Sequence, residues 1–72
     1  MTRNNQERAD RCQQAITAYS ADDDFTNLVD FLADAMHWSD CTAHDFHLAL
    51  AQACRHYIHE LNDQQQDERR LL

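Results

Sequence analysis

The 72-residue chain contains neither glycine nor proline, and this double absence narrows its folds more than any motif does. Glycine enters left-handed backbone conformations without a steric penalty, and proline stiffens loops and breaks helices. Tight turns that need φ > 0 and Pro-stiffened loops are therefore out of reach, whereas helices lose nothing. Asn and Asp are left to supply the joints. No segment alternates polar and apolar residues cleanly enough to read as a strand. The expectation is an all-α protein, a single domain over residues 1–72 folded as a small bundle of three helices, with room for a short fourth C-terminal helical segment.

Helical periodicity places the three elements. The clearest is expected over 25–38, where Phe25, Leu28, Val29, Leu32, Ala35 and Met36 fall within one arc of about 120° and form the face expected to meet the core. Asp23, Asn27, Asp30, Asp34 and His37 fall on the opposite side, and Asp23 or Asp24 suits the N-cap. A helix over 43–62 carries the stripe Phe46, Leu50, Ala53, Cys54, Tyr57 and Leu61, with Thr42-Ala-His-Asp45 resembling a capping box at its start. A helix over 5–20 has the poorest face, Ala9, Cys12, Ala15, Ile16 and Tyr19, and is expected to be the least stable. Glu7 and Arg11 form a favourably oriented i,i+4 pair on it. The tail over 64–72 is expected to fray or to project as another turn or two of helix.

Charge is segregated along the chain. Between Cys12 and Cys54 lie Asp22, Asp23, Asp24, Asp30, Asp34, Asp40 and Asp45, with no Lys or Arg among them. Their summed charge equals the net charge of the whole protein, −7. Such a chain attracts basic partners and repels nucleic acid and anionic membranes at long range. Asp30 and Asp34 stand one turn apart with no cation beside them, a pairing that costs an isolated helix roughly 0.2–0.5 kcal/mol. Residues at that spacing lie ~5–6 Å apart, close to the spacing of successive phosphates along a strand. An acidic helix face can serve only to keep a small protein in solution. It can also imitate a nucleic-acid backbone, and the lack of interleaved cations favours that reading, because ordinary surfaces mix both signs. Phe31 and Trp38 flank the acid, and Leu48 points outward on the third helix. Trp38 is the better candidate for an apolar anchor beside an acidic rim, and Phe31 for packing against the first helix.

Other chemistries find less support. His37, Cys41 and His44 offer H-x3-C-x2-H, ligand types that zinc accepts, but no clear fourth ligand completes a site. His56 and His59 lie outward beside acids, and His47 borders the apolar stripe of the third helix. Neither a metal nor a cofactor is expected. No Ser-His-Asp or Cys-His pairing has a compelling arrangement, no Gly-rich phosphate loop is present, and a chain of this size buries only about 60% of its unfolded surface. No enzyme is expected. Direct DNA binding is disfavoured because the third helix carries Arg55 among Asp45, Glu60 and Asp63. Three cysteines without a C-x-x-C suit a reducing cytoplasm rather than a disulfide framework. No apolar run approaches membrane-spanning length, and the polar N-terminus is not that of a signal peptide.

Over Phe25-Thr-Asn-Leu-Val-Asp-Phe-Leu-Ala-Asp-Ala-Met-His-Trp-Ser-Asp, then Asp45-Phe-His-Leu-Ala-Leu-Ala and His56-Tyr57, the chain resembles short helical proteins of phages, plasmids and other mobile elements. In size and acidity it is also similar to phage anti-CRISPR proteins, several of which mimic DNA. That resemblance implies a non-enzymatic inhibitor acting on a basic DNA-binding site, such as the DNA-recognition subunit of a type I surveillance complex. Asp23, Asp30 and Asp34 would then form the centre of the contact, with Asp22, Asp24, Asp40, Asp45 and Trp38 around it. The alternative is a helical interaction module or homodimeric accessory protein that uses an apolar surface.

Overall fold

The structure, a computed structural model, describes residues 4–70, with side chains as far as Gln64. It consists of α1 (Asn5–Thr17), α2 (Asp24–Cys41) and α3 (Phe46–Arg70). The all-α, three-helix architecture is thus present. The fourth segment is not a separate element, since α3 continues unbroken to Arg70. How residues 65–72 pack lies outside the described side chains.

Each helix starts on a side-chain cap. Asn4 Oδ1 accepts the Glu7 N–H at 2.8 Å, Asp23 Oδ1 accepts the Thr26 N–H at 2.7 Å, and Asp45 Oδ1 accepts the Leu48 N–H at 3.1 Å. These bonds satisfy amide donors that the first helical turn leaves without partners. Asp45 is therefore the cap of α3, and Thr42 does not play that part. Thr42-Ala43-His44 is consumed in ending α2. The His44 N–H bonds the Ser39 carbonyl at 2.8 Å and the Ala43 N–H reaches the Asp40 carbonyl at 3.5 Å. This is the Schellman pattern, which requires a left-handed residue just past the cap. Ala43 takes that place with φ 58°. With no glycine in the chain an alanine occupies the left-handed position, where an Asn or Asp was expected to make the joint.

The packing departs from the expected amphipathic arrangement. Ile16, 7% exposed, is the one buried apolar side chain among the described residues, and the other buried residues are Asn27 and Ser39. Asn27, expected on the outer side of α2, instead turns inward and takes the Ala21 N–H at 3.0 Å, which ties the α1–α2 joint to α2. Ser39 hydrogen-bonds its own helix at the Ala35 carbonyl, 2.8 Å away. Leu28, Phe31 and Ala35 are half-buried, and Phe31 meets Tyr19, two residues past the end of α1, edge-on at 6.1 Å. Phe25, Val29, Leu32 and Met36, expected in the core, are exposed. So are Leu50, Cys54, Tyr57 and Leu61 on α3, and His47, expected at the core edge. The physical reason is the poverty of α1, whose small face cannot cover two apolar arcs.

Polar contacts hold α1 to α3. The Asn5 N–H donates to Gln64 Oε1 at 3.1 Å and its side-chain amide to the Glu60 carbonyl at 3.4 Å. Arg8 Nε sits 2.8 Å from Glu60 Oε2. Arg11 makes no ion pair with Glu7; among the described side chains the acidic partner on α3 goes to Arg8. The Cα radius of gyration is 15.1 Å, against about 11 Å for a compact domain of this length. The molecule is open. No described helix is long and apolar enough to cross a membrane.

Candidate functional site

The aspartates lie along α2 and at the joints before and after it. From Asp24 to Asp40 the row spans about 24 Å at 1.5 Å per helical residue. All seven carboxylates are exposed, but they are not equivalent, and the hydrogen bonds divide them.

Asp23 and Asp45 are caps, as described above. Asp23 takes a second bond at Oδ2 from the Thr26 hydroxyl at 3.0 Å. The Thr26 N–H, then its hydroxyl, hold the Asp23 carboxyl below its ordinary pKa of 3.8, with a smaller contribution from the Phe25 N–H. Asp24 stands 3.5 Å from the Gln13 side-chain amide, across the α1–α2 joint. Asp34 Oδ2 accepts the Tyr19 hydroxyl proton at 2.6 Å. That bond, first, raises the Tyr19 phenol above its ordinary 10.0, followed by desolvation and the charges of Asp34 and Asp30. Tyr19 thus stands beside the Asp30–Asp34 face, and the chain after α1 covers part of it. Among the described residues Asp22, Asp30 and Asp40 have no hydrogen-bond or ion-pair partner. Asp40 also lies at the negative end of the α2 dipole, with no basic residue in the last turn to offset it. These three carboxylates have no visible structural task.

Trp38 is 60% exposed and Leu48 57% exposed. With Ser39, His44, Asp45, Ala49 and Gln52 they line a shallow hollow of about 260 Å³ at the α2–α3 joint. The indole is not loose. It stacks on the His44 imidazole at 5.1 Å and 10° between planes. The Thr42 hydroxyl donates to the Trp38 carbonyl at 2.7 Å, and its oxygen lies 2.8 Å from His44 Nδ1. The single hydroxyl proton is spent on the carbonyl, so Nδ1 carries the proton shared with Thr42. Stacking against His44 fills the place of the apolar contact that accompanies a Schellman end. His44 is therefore committed to the joint. Among the described residues no group of three or more His, Cys, Asp or Glu side chains is arranged to hold a metal ion.

A second hollow of about 450 Å³ lies between α1 and α3, lined by Arg8, Arg55, His56, His59, Glu60 and Asp63. His59 Nε2 lies 3.6 Å from Asp63, one turn on, and both side chains are exposed. Acid and base alternate here, in contrast with the unbroken acid of α2.

Sequence reasoning missed the Tyr19–Asp34 bond, the burial of Asn27 and the exposure of the apolar arcs of α2 and α3. Only the last had a signal in the sequence: the first helix offers two large apolar side chains, Ile16 and Tyr19, to faces that each present four or more. No family model, no curated protein and no solved structure matches this chain.

Proposed function

We propose that the protein is a non-enzymatic inhibitor that occupies a positively charged, nucleic-acid-binding surface of another protein, acting as an acidic mimic of a duplex backbone. The observation that carries this reading is a row of exposed carboxylates with no Lys or Arg from Cys12 to Cys54. Aspartate suits the task, since its short side chain holds charge close to a stiff helix. The DNA-recognition subunit of a type I CRISPR surveillance complex is the kind of target that the resemblance to anti-CRISPR proteins implies.

Asp30 and Asp40 are the residues on which to test the idea, because reversing them breaks no hydrogen bond described within the chain. Asp34 is less suitable, as its loss also frees the Tyr19 hydroxyl. Asp30→Lys combined with Asp40→Lys is expected to weaken capture of the target from host lysate at least tenfold while the helical circular dichroism is kept. Wild-type capture at about 0.1 M salt should largely vanish at about 0.5 M, as charge-driven contacts do. Capture that survives both the double reversal and high salt rejects charge mimicry.

A second reading has its own support in the exposure of Trp38 and Leu48. In it the chain is an interaction module that anchors an apolar side chain at the α2–α3 joint, with Asp45 at its rim. Trp38→Ala should then reduce capture more than the charge reversals do, and salt should matter little.

A further inference from the structure

Among the described residues of a single copy the hydrophobic core is thin: Ile16 is the one buried apolar side chain, set against the conformational entropy lost by every residue that the helices order. A compact monomer of 8.5 kDa exposes about 4,700 Å². This chain exposes 6352 Å². The surplus, roughly 1,700 Å², is of the size that each chain of an obligate homodimer buries, roughly 1,000–2,500 Å².

Part of the exposed apolar surface follows a pattern. On α2 Phe25, Val29, Leu32 and Met36 are separated by steps of four, three and four residues, with the exposed Trp38 off this line. On α3 Leu50, Cys54, Tyr57 and Leu61 repeat the same steps, and all four are exposed. That alternation is the heptad seam by which helices pack side by side. The positions flanking a seam usually carry the charges that select a partner. Alongside these four residues on α2 they are Thr26, Leu28, Ala33 and Ala35, none of them charged, and the first carboxylate on that side is Asp40, one turn beyond Met36. Asp23, Asp30 and Asp34 fall on the far side of the helix. On α3 the flanks are Ala51, Ala53, Ile58 and Glu60, and Glu60 is already paired with Arg8 of its own chain.

We propose that a second copy of this chain covers the seams of α2 and α3, giving a two-fold dimer with the aspartate rows outside. Three observations favour a copy over an unrelated protein. With so thin a core, the cover must be present whenever the chain folds, and another copy is made wherever the chain is made. Both seams have the same spacing, so each chain supplies surfaces that match the other's, as an isologous interface requires. The uncharged flanks of α2 from Thr26 to Ala35, and the pairing of Glu60 with Arg8 on α3, let two chains of net charge −7 meet with few opposing carboxylates. The dimer does not depend on the target proposed above, and losing either idea leaves the other standing.

Sedimentation equilibrium of the full chain, with circular dichroism on the same samples, tests the proposal. The expected mass is twice 8.5 kDa with high helicity, and raising salt should strengthen association by screening the like charges. Leu32→Glu and Leu50→Glu should each shift the dissociation constant upward by at least a hundredfold, with helicity recovered at high chain concentration. Because these variants risk not folding at all, a second measurement uses the wild-type sequence. In a mixture of isotope-labelled and unlabelled chains, filtered nuclear Overhauser effects should connect Leu32, Met36, Leu50 or Leu61 to the other copy. A helical species with the mass of one chain overturns the proposal, as does a dimer whose interchain contacts involve only Trp38 and Leu48. A chain that folds only when a different protein is added overturns it as well.

Discussion

Ala43 holds a conformation that costs an alanine about 1–2 kcal/mol, with φ 58° at the end of α2. The two Schellman hydrogen bonds and the Trp38–His44 stack keep it there. Ala43→Gly removes that strain, partly offset by the greater freedom glycine gives the unfolded chain. The variant should be more stable by about 0.5–1 kcal/mol, read from urea midpoints at matched chain concentration; a less stable variant would contradict the left-handed joint. Two titrations belong to the same scale. The folded-state pKa of Asp23 lies below 3.8, so its contribution is present above that pH and is lost as pH falls through the lower, folded value. Asp23→Asn keeps a good cap and should flatten the stability profile in that acid window. The Tyr19 hydroxyl has its pKa raised above 10.0, so its contribution is complete below pH 10 and is lost as pH rises through the folded value. Tyr19→Phe should remove this alkaline slope while the ring keeps its edge contact with Phe31. Both profiles are measurable by thermal melts across pH.

At the scale of elements, helix positions were legible because periodicity and caps are local. Asp23 caps α2, as one of the two candidates named for it, while α3 was expected to start after Thr42 and starts instead after Asp45. The ends were less legible. The first helix stops at Thr17, short of the expected Ser20, because residues 18–23 turn the chain toward Asn27. Which face of α2 meets α1 was not readable either, since Asn27 and Tyr19 choose it through contacts between separate elements. Ile16 is the anchor of that contact. Ile16→Ala should cost about 2 kcal/mol, near the low end for such truncations because the site is open enough to relax. Hydrogen exchange should show α1 amides losing protection before those of α2. The link from α1 to α3 is weaker. The Arg8 and Glu60 side chains are about one-third exposed, 32% and 31%, and such pairs contribute roughly 0–1 kcal/mol. Arg8→Ala should lower stability by no more than that, and about 0.5 M salt should erase the difference from wild type.

For the whole molecule, the open shape and the thin core make stability a matter of association. Folding coupled to dimerisation makes the melting temperature depend on concentration. Diluting the chain a hundredfold should lower its melting point by several degrees, whereas a self-sufficient monomer would melt at one temperature throughout. Sequence alone determined the helical class, because a chain without Gly or Pro keeps its helices and loses its tight turns. It also determined the charge segregation, which is a property of residue order. The row of aspartates was visible, but their separate tasks were not. Asp23 and Asp45 cap helices, Asp34 holds Tyr19, and Asp22, Asp30 and Asp40 are left without partners among the described residues. That division depends on which atoms come within 3 Å across a joint. Only the tertiary structure decided which apolar faces stay open. Periodicity shows that a helix has an apolar side, but not whether the same chain has enough partner surface to cover it.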